Sequence, residues 1–299
     1  MKHFIYFILS LSLGWTALAE EKKQVKVFIL AGQSNMEGKG KIDPLLNHQI
    51  KAPETRDFFA HFHKDGEYIE REDVWINYLK RRGNLTVGYG SPGCIGLELQ
   101  FGHVMGNHYD EPVLLIKTAW GGKSIGIDFR PPSSGLQSDE AIAESVENMI
   151  KRDYNNIIRN EWNKAKKDNP DIKRKEIEEK SSASIEEIRK AKADEYRKQV
   201  VDRYGHFYRL MITEIKTTLS EIKTRFPQYD GRGYEIAGFV WFQGWNDMYG
   251  RLPGEYAKNM ENFIRDVRKE LDVPNLPVAI GIMGQNGFKE AKGNMAVVQ

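Results

Sequence analysis

VFILAGQSNMEG, residues Val27–Gly38, decides the fold. Its first four residues form a continuous apolar run, the pattern of a strand covered on both faces in a parallel α/β sheet. Ala31 and Gly32 then remove side-chain bulk where the chain must turn. Ser34 therefore stands at the carboxyl end of a central strand, the edge on which open α/β sheets hold their ligand crevices. Gln33 and Asn35 flank it with amides suited to side-chain-to-backbone bonds that fix a loop.

Working outward, three more apolar runs read as buried strands. Val113–Trp120 ends on Gly121-Gly122-Lys123-Ser124, and Ile236–Phe242 ends on Gln243-Gly244-Trp245-Asn246-Asp247. Pro277–Ile282 is the third of them, and Asn294–Gln299 reads as one more strand just beginning. Helices are expected over Leu97–Met105, over the stripe Phe207, Met211, Ile215, Leu219, Ile222 and Phe226 that Pro227 closes, and over Glu255–Leu271. Lys39 to Arg82 is irregular and reads as a long excursion over the sheet edge carrying short strands or a hairpin, Val74-Trp75-Ile76 among them.

Ser138 to about Val201 differs in kind. Between Lys151 and Val200 more than half the residues are charged, with both signs interspersed and sparse apolar positions such as Ile172, Ile177, Ile185 and Ile188. Ser184 with Glu187 makes a capping box that starts its second half. This is the composition of a solvated helical hairpin inserted beside the core.

The first 19 residues read as a secretory signal peptide: a short basic start, an apolar core from Phe4 to Trp15, and Ala17-Leu18-Ala19 as the cleavage signature. A secreted or periplasmic location is expected, with no membrane association after cleavage. The remaining chain of about 280 residues is long enough for one large α/β domain with an insertion. A net charge of +2 points to neither a nucleic-acid nor an anionic-membrane partner. The lone cysteine, Cys94, forms no internal disulfide and suits a small buried filler.

In a parallel sheet with right-handed crossovers, the loops after the strands at Val27, Val113 and Ile236 share one edge. A serine attacking an ester needs a base and donors for the oxyanion. The Ser34 amide, the Gly122 amide and the Gln243 side chain are the candidate donors, with Asn246 beside them as a substrate-binding group. Each such donor is worth about 3 to 4 kcal/mol in the transition state. Two other chemistries fit poorly. His61, His63 and Asp65 lack a second ligand cluster for a metal. Gly32–Lys39 and the turn before Lys123-Ser124 miss the glycine or hydroxyl spacing of a phosphate-binding loop, since Gly40 and Lys117 fall where other residues are required.

AGQSNM, WGGKSI and FVWFQGWND, in that order, resemble the SGNH-hydrolase superfamily, in particular its sialate O-acetylesterase-like carbohydrate esterases. Asp128–Gly135, DFRPPSSG, is similar to the acetylxylan-esterase-like branch. The resemblance implies a three-layer α/β/α, flavodoxin-like sheet. It also implies metal-independent, cofactor-free removal of O-acetyl groups from an acetylated carbohydrate through an acyl-enzyme at Ser34. Two departures stand out. Where the family often carries Gln-Gly-Glu-x-Asp this chain has Trp245 in place of the Glu, leaving Asp247 as the candidate catalytic or structural acid. The family's C-terminal Asp-x-x-His does not occur, and His103 and His206 sit in helical patterns that suit packing or capping, so a chain cut short of its base is the expectation. A non-catalytic carbohydrate-binding protein is the rival reading, with Trp120, Trp241 and Trp245 as stacking groups.

Overall fold

The computed structural model describes residues 23–284 and Gln299. The expected signal peptide and most of the expected last strand, residues 294–298, lie outside the described residues.

Six strands form the central sheet: β1 (Val25–Gly32), β2 (Arg71–Tyr78), β3 (Arg81–Leu85), β4 (Val113–Ala119), β5 (Tyr234–Phe242) and β6 (Val278–Ile280). Their order across the sheet is β6-β5-β1-β4-β2-β3, parallel throughout except that β3 turns back antiparallel on β2. β1 thus has hydrogen-bonded neighbours on both edges, Ile29 pairing with Ile116 of β4 and with Phe239 of β5.

Alternation along β1 divides the core. Val25, Val27, Ile29 and Ala31 face one layer, where they join Met211, Ile215 and Leu219 of one helix and Tyr256, Phe263 and Val267 of another. Those helices are His206–Ser220 and Leu252–Glu270. Phe28 and Leu30 face the opposite layer with Val74, Ile76 and Leu115, covered by Leu99 of helix Leu97–His108. Each side chain buried this way is worth roughly 1.5–3 kcal/mol, which is why the short apolar run commits the chain to a covered strand. The result is the three-layer α/β/α architecture expected from the sequence.

One detail differs from a flavodoxin sheet. Counting parallel strands in chain order, the arrangement is 2-3-1-4-5, with β2 outside β4, against 2-1-3-4-5 in flavodoxin. The segment read as an excursion over the edge supplies β2, an interior strand of the main sheet. Its first half, Arg71-Glu72-Asp73, is charged, and only Val74–Tyr78 is buried, so the strand's signal in the sequence is half-length. The tight hairpin to β3 fixes it near the edge, where Arg81 and Arg82 of β3 stay exposed and protect the free edge from further pairing.

The charged segment forms helices Asp139–Asp168, Arg174–Lys180 and Ile185–Arg203. Ser184 caps the last of these, its hydroxyl accepting the Glu187 N–H at 3.1 Å. A small separate core of Val146, Ile150 and Tyr196 holds the hairpin together, with Ile185 and Ile188 packed against it. Arg203 anchors its far end to Asp128 of the main body at 3.0 Å. Elsewhere Cys94 is buried, as a filler would be.

β1 ends at Gly32 because nothing larger fits. A Cβ there would lie 2.3 Å from the Phe242 carbonyl oxygen at the end of β5, and the residue sits at φ +156°. Gly32→Ala should therefore lower the free energy of unfolding by more than about 1 kcal/mol in urea titration. Unchanged stability would mean that β1 and β5 do not converge this closely.

Candidate active site

The strand-to-helix turn at the end of β1 positions the serine. Ser34 opens a four-residue helix, Ser34–Glu37, closed by the Glu37 N–H on the Gln33 carbonyl and the Gly38 N–H on the Ser34 carbonyl. Its side chain is half-buried and Asn35 is exposed, so the hydroxyl stands at the rim of the sheet edge. A Cβ placed on Gly121 would lie 3.9 Å from the Ser34 Cβ, so the loop after β4 runs directly beside the serine. Gly122 follows at φ +71° with open space around it. Among the described residues the Ser34 and Gly122 N–H groups make no hydrogen bond within the protein, which leaves both available as donors.

The third expected donor is spent. The Gln243 side chain is wholly buried, and its amide nitrogen faces Gln33 Oε1 at 3.2 Å, the Lys123 carbonyl at 3.0 Å and Asp247 Oδ2 at 2.5 Å. Two N–H bonds set against three acceptors leave none for an oxyanion. Its role is to tie the loops after β1, β4 and β5 to one another. Gln33 completes the knot by accepting the Asn246 N–H at 3.2 Å, the loop-fixing bond suited to an amide beside the serine. That bond uses the Asn246 backbone, and its side chain is half-buried at the rim.

Asp247 is also wholly buried, and its carboxylate accepts from Ile125 N–H at 2.9 Å, from Gly126 N–H at 2.8 Å and from Gln243. Its geometry is that of a brace between the second and third loops. Burial pushes its carboxyl up to about 6, with those three N–H groups pulling the other way. Trp245, by contrast, is 49% exposed beside the knot, whereas Trp241 is core and donates to the Tyr256 hydroxyl at 3.2 Å. Trp120 is half-buried, edge-on to Phe207.

Several residues that hold these loops carry no individual signal in the sequence. Asp128 accepts the Ser124 N–H at 3.0 Å and folds the WGGKSIGID loop on itself. Arg130 donates to the Gly126 carbonyl at 2.9 Å and to Glu255 at 2.8 Å. Glu37 accepts from Ser91 and pairs with Lys39 at 3.1 Å; burial works against its ionisation, but those two partners hold its carboxyl below the usual range. The Asp128–Gly135 stretch marked the first two only as a block.

Histidines lie elsewhere. His103 is buried against His61 and Phe62, and burial brings its imidazole down to about 4. His206 is exposed at the start of its helix against Phe207. Neither is hydrogen-bonded to Ser34 among the described residues. His61 bonds Gln100 at 2.6 Å and lies in a short helical turn rather than sharing a strand with His63. No cluster of three or more His, Cys, Asp or Glu side chains suited to a metal occurs among the described residues.

The fold defines a three-layer α/β/α protein with a serine turn at the carboxyl end of β1. The family model described as "Carbohydrate esterase, sialic acid-specific acetylesterase" matches residues 24–173 and 172–299. The chain belongs to this carbohydrate esterase family. Two solved structures are similar in part. A protein from Arabidopsis thaliana is 16% identical at a TM-score of 0.46, with 92% of this chain and 79% of that chain covered. A carbohydrate acetylesterase from Xanthomonas citri is 13% identical at 0.42, with 85% of this chain but only 41% of that chain covered. No curated protein matches by sequence.

The proton affinity of Asp247 gives a prediction with a definite sign. A carboxyl raised from 3.8 to about 6 in the folded protein binds its proton more tightly there than in the unfolded chain. Its contribution to stability is then greatest below the unfolded value and is lost as pH rises through the folded value. The stability gap between wild type and Asp247→Asn should narrow by about 2 kcal/mol from pH 4 to pH 7 in urea unfolding. A gap that widens instead would show that the three N–H donors outweigh burial.

Proposed function

We propose that the protein is a serine esterase that removes O-acetyl groups from carbohydrates, sialic acid or acetylated plant polysaccharide, through an acyl-enzyme at Ser34. The observation that carries the reading is the placement of Ser34. It is half-exposed on the first turn after the central strand, with unbonded Ser34 and Gly122 N–H groups on the same rim. In this reading the Ser34 Oγ attacks the acetyl carbonyl and loses its proton to a base. The two N–H groups hold the developing oxyanion, and water releases acetate from the acyl-enzyme. The described residues place no histidine against Ser34, so the base is the member of this mechanism that they do not supply. Asp247 braces the loop that carries Gly122 against the loop after β5 and is assigned a positioning role.

The exposed Trp245, standing where the family pattern often has an acid, also suits a site that binds sugar without reacting. One experiment separates the two. The full-length protein is treated with a serine-directed phosphonate and assayed for acetate release from an aryl acetate, acetylated xylan and O-acetylated sialic acid. The esterase reading expects labelling at Ser34 and a loss of at least about 10³-fold in kcat for Ser34→Ala. Sugar binding without labelling or acetate release would replace it with the binding-protein reading, and full activity in Ser34→Ala would remove Ser34 as the nucleophile.

A further inference from the structure

The sheet buries one complete ion pair directly beneath the serine turn. Lys117, in β4, and Glu98, in the first turn of helix Leu97–His108, are both fully buried, with Nζ to Oε2 at 2.6 Å. The ammonium spends its other two protons on main-chain carbonyls, Glu37 at 2.9 Å and Tyr89 at 2.8 Å. Glu98 is balanced in turn by the Gly96 N–H at 2.8 Å and by the positive end of its own helix.

The Glu37 carbonyl is the last of the four-residue helix that Ser34 opens, one of the groups a helix end leaves without a partner of its own. A single turn has almost no cooperativity to hold its direction, so its end contacts set it. At the front these are Gly32 against Phe242, and at the back the Lys117 ammonium. The chain around the back contact is drawn in so tightly that a Cβ on Gly38 would lie 2.4 Å from the Gly96 Cα, and one on Gly96 2.4 Å from Glu98 Oε2.

Stability alone does not account for the pair. Burying two charges costs several kcal/mol per ion, and an apolar pair of similar volume commonly folds as well or better. What an apolar pair lacks is a donor for the Glu37 and Tyr89 carbonyls.

We propose that Lys117, charge-balanced by Glu98, is a positioning residue that fixes the Ser34 turn through the Glu37 carbonyl and sets the direction of the Ser34 hydroxyl. The proposal rests on the esterase reading of Ser34. Misplacement of a reacting group by about 1 Å costs on the order of 10²-fold in rate, so losing the clamp should appear in kcat.

Lys117→Met alone would strand a buried carboxylate and disturb folding, so the informative variant is Lys117→Met with Glu98→Gln. In the full-length protein it should keep its cooperative thermal unfolding. Its kcat on an aryl acetate should fall about 10- to 100-fold while KM stays within about twofold of wild type. Arg225→Met with Glu214→Gln, which removes an ion pair at 2.9 Å away from the serine turn, should leave kcat unchanged.

Glu98→Gln alone provides a second readout. The titratable groups facing the ammonium are Glu98, Glu37, Tyr78 and Arg81. Burial already lowers the proton affinity of Lys117, and Glu98 is the main group opposing it. Removing Glu98 should therefore move the loss of kcat on the alkaline side to lower pH than in wild type. A folded double variant with wild-type kcat, an equal loss in the Arg225 control, or an unaltered pH profile in Glu98→Gln would overturn the proposal. Inactivity of the wild type, or full activity in Ser34→Ala, would instead overturn the esterase reading beneath it.

Discussion

The close approach of β1 and β5 at Gly32 is the constraint on which the rest depends. β1 is bonded along both edges and covered on both faces, so it can neither slide nor tilt, and at its end the Phe242 carbonyl occupies the space a side chain would need. The chain has to turn there, and the turn delivers Ser34 to the sheet edge one residue beyond Gln33. Because β4 and β5 are the two neighbours of β1, their loops arrive on either side of the serine with no further device.

Buried polar groups then convert proximity into fixed geometry. On one side the buried side chains of Gln33, Gln243 and Asp247 join the three loops through hydrogen bonds. On the other, Lys117 and Glu98 close the back of the serine turn. In a low-dielectric setting a satisfied network is rigid and an unsatisfied one is costly. The loops are therefore held in one arrangement, although each by itself is a short run of small and polar residues. The Gln243 side-chain oxygen Oε1, buried with no partner among the described residues, is the one imperfect member of the knot.

Legibility followed burial pattern. Strands buried along their whole length announced themselves as apolar runs, and the helices covering them showed stripes at spacings of three and four. β2 was half-hidden because three of its eight residues are charged and lie outside the core. The serine was visible for the same reason as its strand: an apolar run that stops on a small polar loop leaves few places for a reactive group. Gln243 was visible as a residue, but the inward direction of its amide nitrogen was not. An amide at a strand end can point its nitrogen outward to a ligand or inward to neighbouring loops, and the sequence does not say which. Lys117 and Glu98 gave no signal as a pair, since they are 19 residues apart and each resembles an ordinary charged residue until both are seen to be buried.

By itself the sequence determined the layers, the strand ends that matter and the serine among them, because hydrophobic period and the absence of side-chain bulk are local properties of the chain. It also placed the chain in its family through three short blocks. Tertiary structure alone decided which N–H groups lack a partner among the described residues, which acid ties two loops together, and where a charge is buried. Those depend on which loops meet across the sheet edge, and that meeting is set by strand order and by contacts between residues far apart in the chain.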